Sequence, residues 1–402
     1  MPNLTGIFGL LLILGTAYAL SANRRAINFR LVAWGLGLQV AFAFFILKTT
    51  PGSLVFDFLS RAVTRLLSFS NAGAGFVFGP LATDTESFGF IIAFQVLPII
   101  IFTAALFSVL YHIGIMQVIV LAFAKVMAKT MGASGAESLA AAANVFMGIT
   151  EAPLVIKPFV PKMTQSELMA LMTGGMSTIA GSVMAGYIQM GVSAGHLLTA
   201  SVMAAPAGLL IAKILNPETE ESLSRGSVRL DMERESVNLI DAIVRGTSDG
   251  LRLALNVGAM LIAFVALVAL ANGILGLAGL TLEQLLGYAF APIAIAIGVP
   301  FSDALTVGSL LGQKVVLNEF VAYSNLTGLL GEAPTALSER SIVIVTYALA
   351  GFANFGSIGI MIGGIGGIAP ERRTDLARLS MRSLMAGMMA TLMTASIAGM
   401  LL

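Results

Sequence analysis

The chain has no cysteine, one tryptophan and two histidines in 402 residues. Without cysteine there is neither a disulfide framework nor thiolate chemistry. Charge is scarce too: Asp, Glu, Lys and Arg make up 11% of the residues, against about 25% in a soluble globular chain. The formal net charge of +1 leaves no basic footprint for nucleic acid. Hydrophobic residues, by contrast, reach 57%, and the mean hydropathy is +0.93. Too little polar surface exists to coat a water-soluble body of this size, so lipid is the solvent for most of it. At roughly 20 residues per span, the chain supplies on the order of ten membrane-embedded elements.

Long apolar runs occupy 4–20, 31–47, 87–110, 197–215, 253–277 and 384–402. None alternates with period two between turns, which argues against a β-barrel. The first run ends in Ala19, Leu20, Ser21 and Ala22, small residues of the kind found at signal-peptide cleavage sites. A signal peptide carries its positive charge ahead of the run, whereas here Arg24, Arg25 and Arg30 follow it. The expectation is a retained first span, its N-terminus outside and this basic loop inside. Segment 53–69 differs, with Asp57, Arg61 and Arg65 spaced by four on one side and apolar residues on the other. That pattern predicts a helix lying at the membrane interface. Residues 216–236 form the one hydrophilic stretch of any length and read as a loop.

Basic residues set the orientation. Lys125, Lys129, Lys157 and Lys162 cluster between spans, Lys213, Arg225, Arg229, Arg234, Arg245 and Arg252 surround the long loop, and Arg372, Arg373, Arg378 and Arg382 precede the last span. All of them face the cytoplasm only if segments 134–161 and 302–335 each enter and leave on one side. Both therefore read as re-entrant hairpins, entering from opposite faces. Similar text follows each. After the first come Ser166 and Glu167, then an apolar run broken at 177–182; after the second come Ser338 and Glu339, then a run broken at 354–357. Ser182 lies 16 residues past Ser166, and Asn354 lies 16 past Ser338. Each unit is a hairpin, a broken helix and a further helix, and the odd span at 253–277 inverts the second relative to the first. Inverted repeats with discontinuous helices are the architecture of secondary transporters, with the site where the breaks meet.

Hairpin one holds Glu151 and hairpin two Glu319, each a single carboxylate in apolar text. A carboxylate at membrane depth is expensive unless partnered, which makes both functional candidates. Gly148 and Pro153 bracket Thr150 and Glu151, as expected where an interrupted helix frees backbone groups for a ligand. Glu151 at a water-filled loop, or Glu319 paired with Lys314, are the structural alternatives. His112 and His196 stand alone, one near a span end and one in a short outer loop, without metal-ligand spacing. The Gly364 to Ala369 string fits G-x-G-x-x-A but follows no strand, so close helix packing explains it better than dinucleotide binding.

Three motifs carry a family resemblance. They are Gly148-Ile149-Thr150-Glu151-Ala152-Pro153-Leu154, then Gly312-Gln313-Lys314 with Asn318-Glu319-Phe320-Val321-Ala322-Tyr323, and Gly351-Phe352-Ala353-Asn354-Phe355-Gly356-Ser357. Together they resemble the concentrative nucleoside transporters over nearly the whole chain. The resemblance implies a homotrimer in which a scaffold, including the span at 253–277, holds a mobile transport domain. It also implies a substrate site of Gly148, Thr150, Glu151 and Val183 toward the base, and Glu319, Phe352, Asn354 and Ser357 toward the ribose. A carboxylate accepts two ribose hydroxyls at once, and Asn and Ser both donate and accept. Asn144, Met147, Thr150, Thr178 and Ile179 match the family's sodium site, where oxygens replace the hydration shell.

Two departures stand out. Ile149 takes a position where many relatives carry a polar residue, commonly Gln, and Thr178 replaces a Ser of sodium-dependent relatives. The first bears on base preference and the second on sodium coupling. Neither a nucleophile with a base nor an H-E-x-x-H cluster is present for a membrane-embedded enzyme. A channel favours rings of like charge or a repeated filter instead.

The expectation is thus an all-α polytopic membrane protein with about eight transmembrane helices, two re-entrant hairpins in inverted repeats and an interfacial helix. Its units are 1–115 (scaffold spans and interfacial helix), 116–215 (first repeat), 216–280 (loop and scaffold span) and 281–402 (second repeat). The expected function is sodium-coupled nucleoside import across the cell membrane, the inner membrane in a Gram-negative cell, without enzymatic activity or organic cofactor. A proton-coupled symporter is the alternative.

Overall fold

Each of the two hairpins is the first half of a pair: a hairpin followed by a helix that stops and restarts. In the computed structural model of the protein this arrangement is helical throughout, without a strand among the described residues. The structure describes residues 2–224 and 236–402, so Arg225, Arg229 and Arg234 lie outside the described residues.

The N-terminal part consists of α1 (Pro2–Ala19), α2 (Phe29–Lys48), α3 (Thr50–Ser68), short helical turns over 70–95, and α4 (Leu97–His112). Helix α3 is the amphipathic segment; Thr49 caps it, and Leu54, Val55 and Phe58 are exposed on it. The segment expected as the first repeat contains α5 (Ile115–Met131), α6 (Gly135–Asn144), α7 (Gln165–Ser177), α8 (Gly181–Gln189) and α9 (Ala194–Leu215). Then comes α10 (Leu239–Leu275), whose 37 residues span about 55 Å at 1.5 Å per residue. The segment expected as the second repeat contains α11 (Leu282–Ala296), α12 (Ala304–Val316), α13 (Glu319–Glu332), α14 (Glu339–Leu349), α15 (Phe355–Ile368) and α16 (Arg373–Met400).

Six helices among the described residues are long and apolar enough to cross a membrane, counting α7 with α8 as one. Shorter apolar helices at Thr5–Ala19, Leu282–Ala296 and Phe355–Ile368 accompany them. Helix α10 lies along α4, and its glycines permit the approach: a Cβ on Gly246 or Gly250 would come within 2.6–2.8 Å of Ser108, Ala104 and Ile101. Its other side leaves Ile262, Val265, Leu270 and Ile274 exposed.

Local chemistry explains the ends of the elements. Ser134 and Glu137 form a reciprocal cap on α6, and Thr164 and Glu167 form one on α7. Helix α7 contains Gly174 and Gly175, weak helix formers, and stops where the Ser177 and Thr178 hydroxyls turn back onto the Gly174 carbonyl at 3.1 and 2.8 Å. Helix α15 restarts at Asn354, whose side-chain oxygen accepts the Ser357 N–H at 2.8 Å.

Several details differ from the sequence expectation. A helix leads into each hairpin, α5 and α11, which the apolar pattern did not separate. The return leg of hairpin one is only Ala152–Val155 plus a 3-10 turn at Val160–Lys162. The second break opens at Ala350, earlier than Asn354. Corresponding caps are Thr164 with Ser338 and Ala180 with Asn354, so the first repeat's register sits two residues earlier than expected, while the 16-residue interval holds. His196 lies in the first turn of α9, not in a loop, 3.4 Å from the Tyr347 hydroxyl. His112 closes α4 and reaches the Ser236 hydroxyl at 2.7 Å.

Candidate functional site

The two breaks touch. The Phe352 N–H donates to the Thr178 carbonyl at 3.2 Å, joining the second interruption to the first. Hairpin one reaches the same place: the Gly181 N–H, at the start of α8, donates to the Phe146 carbonyl at 2.9 Å. The point where three interrupted segments meet is where backbone groups lack helical partners and can serve a ligand.

On the second-repeat side the carboxylate of Glu319 is buried and held at both oxygens. Its Oε1 accepts the Tyr187 hydroxyl and its Oε2 accepts the Asn354 amide, each at 2.9 Å. Asn354 therefore caps α15 with its oxygen and orients Glu319 with its nitrogen. Ser357 is buried one turn on, and Phe352 is half-buried in the break. Tyr187 comes from the first repeat, ring to ring with Phe320 at 5.4 Å and Tyr323 at 4.6 Å. Val183 lies one turn before it on the same face of α8 and is buried. Lys314 does not pair with Glu319. Its ammonium donates to the Ala348 carbonyl at 2.7 Å and the Thr391 hydroxyl at 3.0 Å.

On the first-repeat side Glu151 folds back within its hairpin, its Oε2 accepting the Gly148 N–H at 2.6 Å. A Cβ on Gly148 would stand 3.1 Å from that oxygen, so glycine there lets the carboxylate close in. Thr150 is half-buried with its methyl against Gly364 of α15. Ile149 is buried against Gly175 of α7.

The residues expected around sodium fall into two groups. Asn144 and Thr178 share one turn of α7: the Asn144 amide lies over Gly174, and the Thr178 hydroxyl bonds the Gly174 carbonyl. Both are buried, and neither polar atom of the Asn144 amide has a partner. A buried amide left unmade on both sides is costly, which makes Asn144 a candidate for binding a ligand. Met147, in the turn of hairpin one, and Ile179, in the first break, are buried as well. The contact of Thr150 with Gly364 directs it toward α15, and no hydrogen bond joins it to Asn144 or Thr178. Among the described residues no group of three His, Asp or Glu could hold a metal ion. The oxygens here are amide, hydroxyl and carbonyl, a set suited to a hard monovalent cation.

A cavity lies away from this crossing. It has about 700 Å³ and opens between α11 and hairpin two, with Glu283, Ser309, Gln313 and Asn325 among its walls. A second, of about 170 Å³, shares Gln313 and Asn325 and reaches Leu317 and Val321, on either side of Asn318 and Glu319. Val265 and Val268 of α10 form its opposite wall. Sequence reasoning missed this approach to hairpin two, and it missed Tyr187.

Known proteins match this arrangement along the whole chain. A family model described as "Na+ dependent nucleoside transporter C-terminus" matches residues 196–399, its N-terminal counterpart matches 8–81, and "Nucleoside recognition" matches 93–194. An uncharacterised transporter, YutK of Bacillus subtilis, is 48% identical over all of both chains. Sodium/nucleoside cotransporter 1 of Rattus norvegicus is 40% identical over 99% of this chain and 64% of its own. Among solved structures, CNTnw in an inward-facing substrate-bound state is 44% identical with a TM-score of 0.94, covering 100% of this chain and 98% of that one. An outward-facing CNTnw variant scores 0.96 over the same shares. The chain is a multi-pass membrane transporter, not an enzyme, and belongs to the sodium-dependent, concentrative nucleoside transporter family.

Proposed function

We propose that the protein imports nucleosides across the cell membrane by coupling them to sodium. The Asn144 amide, buried with both polar atoms unpartnered above the Gly174 turn, is the observation that carries the sodium reading. Sodium binding there, with the Thr178 oxygen beside it, ties hairpin one to the first broken helix and presets the neighbouring half of the substrate site. The nucleoside lies across the breaks, its ribose hydroxyls on Glu319, Asn354 and Ser357 and its base toward Gly148, Thr150, Glu151 and Val183. With Thr150 held against Gly364, it serves the base side better than the ion. Hairpins one and two are re-entrant, and the repeats 116–215 and 281–402 move as a transport domain against a scaffold in a homotrimer. The exposed apolar side of α10 supports contact with lipid or with other copies there.

The coupling energy suffices. One sodium ion descending a tenfold gradient releases about 1.4 kcal/mol, and about 2.3 kcal/mol more comes from 100 mV of potential. Together these concentrate a neutral nucleoside roughly 500-fold. The test is uptake of labelled uridine and adenosine into proteoliposomes with sodium and proton gradients imposed separately. Accumulation that needs sodium supports the reading, and accumulation that ignores sodium and follows a pH gradient replaces it with proton coupling.

A further inference from the structure

The broken helices of the two repeats align in sequence by their caps, Thr164 and Ser338. Gly174 lies ten residues past its cap Thr164, and Ala348 lies ten residues past its cap Ser338. These are therefore equivalent positions, each in the last turn before the break. In repeat one the side chain that reaches this turn from the hairpin's first leg is Asn144, the final residue of α6. In repeat two it is Lys314, two residues before the end of α12, with its ammonium 2.7 Å from the Ala348 carbonyl.

The surroundings of that ammonium are those of a small cation. Lys314 is 1% exposed, and its hydrogen-bond partners are two neutral oxygens, the Ala348 carbonyl and the Thr391 hydroxyl on α16. The carbonyl belongs to the C-terminal end of a helix, where the backbone dipole favours positive charge. Among the described residues no carboxylate lies within 4.0 Å of it, whereas the other buried lysine, Lys213, is paired with Glu137 and Glu218. A charge this deep is tolerated only for a purpose or a partner, and the partners here are the carbonyl that corresponds to that of Gly174 beside Asn144 and a hydroxyl supplied by a separate helix, α16.

We propose that Lys314 is a tethered cation, filling in the second repeat the position that a transported sodium ion takes in the first. It locks hairpin two to the second broken helix permanently, whereas hairpin one is locked only while sodium is bound. The asymmetry makes one hairpin of the pair ion-dependent and leaves the other independent of the ion. This rests on the sodium reading for the first repeat, but the cradle around Lys314 is observed independently of it.

The experiment replaces the ammonium with an uncharged ligand. Lys314→Asn and Lys314→Gln put an amide oxygen in place of the charge, and Lys314→Met supplies neither charge nor oxygen. Uridine uptake into proteoliposomes is measured against sodium concentration, and thermal unfolding of the purified protein is compared in sodium and choline chloride. In the Asn or Gln variant, uptake should fall at least tenfold at low sodium, recover at high sodium, and show a Hill coefficient rising from near one toward two. Its melting temperature should rise more with sodium than that of the unmodified protein, while Lys314→Met should not be rescued. Equal behaviour of all three variants, unchanged sodium steepness, or failure of both amide variants to fold at any sodium concentration overturns the proposal. If uptake by the unmodified protein ignores sodium, the sodium reading of repeat one fails. The extra sodium-specific stabilisation of the amide variants over the unmodified protein then decides Lys314 separately.

Discussion

Phe352 and Thr178 are joined backbone to backbone, the N–H of one donating to the carbonyl of the other at 3.2 Å. Each break leaves helical groups without partners, and each supplies part of what the other lacks. The contact requires a bare backbone next to Phe352. A Cβ on Gly351 would stand 2.7 Å from the Thr391 methyl and 3.0 Å from the carbonyl oxygens of Met176 and Ser177. Gly351→Ala should therefore push the breaks apart, costing about 1–3 kcal/mol of stability. A lowered melting temperature in detergent together with slower uptake is the expected result, and an unchanged pair of values would show that the crossing tolerates separation.

Glu319 has a donor at each carboxylate oxygen, Tyr187 at one and Asn354 at the other. Tyr187→Phe keeps the rings with Phe320 and Tyr323 and removes one charge-assisted bond of about 1.5–3 kcal/mol. Nucleoside affinity should fall by roughly 10- to 150-fold. Glu319→Gln should go further and nearly abolish uptake, because the neutral amide loses both charge-assisted bonds and keeps an acceptor at only one of its two ends. Direct binding measurements on both variants check this, and full affinity in Tyr187→Phe would reduce the tyrosine to a packing role.

The candidate site was legible in the sequence to the extent that it consists of polar residues in apolar text. Glu151, Glu319 and Asn354 stood out for that reason, as did the breaks themselves. Tyr187 did not, because an aromatic in an apolar run gives no sign that its hydroxyl meets a carboxylate 132 residues away. Lys314 was visible as a charge, but its partners Ala348 and Thr391 come from other helices, and nothing local distinguishes them from a pair with Glu319. The leading helices α5 and α11 were hidden because their apolar residues merge with those of neighbouring spans. The two-residue offset in the first repeat arose because Ser166 resembles a cap, while Thr164 makes the capping bond.

At the foot of hairpin one, Lys213 forms an ion pair with Glu137, a second with Glu218 at 3.2 Å, and a hydrogen bond to the Ser166 hydroxyl at 2.8 Å. The following segment closes over the same place. Ser222 bonds Glu167, Ser224 accepts the Ala136 N–H at 3.1 Å, and Glu218 accepts the Thr164 hydroxyl at 2.8 Å. Lys213→Met should cost about 3–5 kcal/mol, since it strands a buried Glu137 carboxylate. Adding Glu137→Leu to that variant should recover much of the loss. Thermal unfolding of the single and double variants decides it, and additive losses would mean that the pair is not what holds the hairpin.

Asp303 plays the corresponding part ahead of hairpin two. Burial pushes its carboxyl up, but bonds from the Ser341 hydroxyl at 2.6 Å, the Ser338 N–H at 3.0 Å, the Ser338 hydroxyl at 2.7 Å and the Ser302 hydroxyl at 2.7 Å outweigh this and bring the pKa to about 2. The folded pKa lies below the unfolded value near 4, so the stabilisation is complete above pH 4 and is lost as pH falls toward 2. It amounts to about 2 kcal/mol. Asp303→Asn should lower stability by that order at pH 7 and flatten the acid limb of the melting curve. An acid limb of unchanged steepness would assign the transition to other carboxylates.

Selectivity follows from the contrast between Ile149 and the Glu319 cluster. A site built to hydrogen-bond a hydroxyl rejects the analogue lacking it by factors up to about 10⁴, because its buried polar groups are left unpaired. An apolar contact separates near-isosteres by only about 10–200-fold. Glu319, Asn354 and Ser357 are buried and mutually bonded on the proposed ribose side, whereas Ile149 offers only an apolar surface next to Thr150 and Glu151, set against Gly175. Ribose should be read strictly and the base loosely. In competition uptake, 3′-deoxynucleosides should compete poorly, while uridine and adenosine compete within about a hundredfold of each other. Ile149→Gln places an amide among apolar neighbours and should favour whichever base can satisfy it, widening the gap between uridine and adenosine. A protein that excludes one base class entirely, yet accepts nucleosides lacking the 3′-hydroxyl, would reverse the assignment of the two halves.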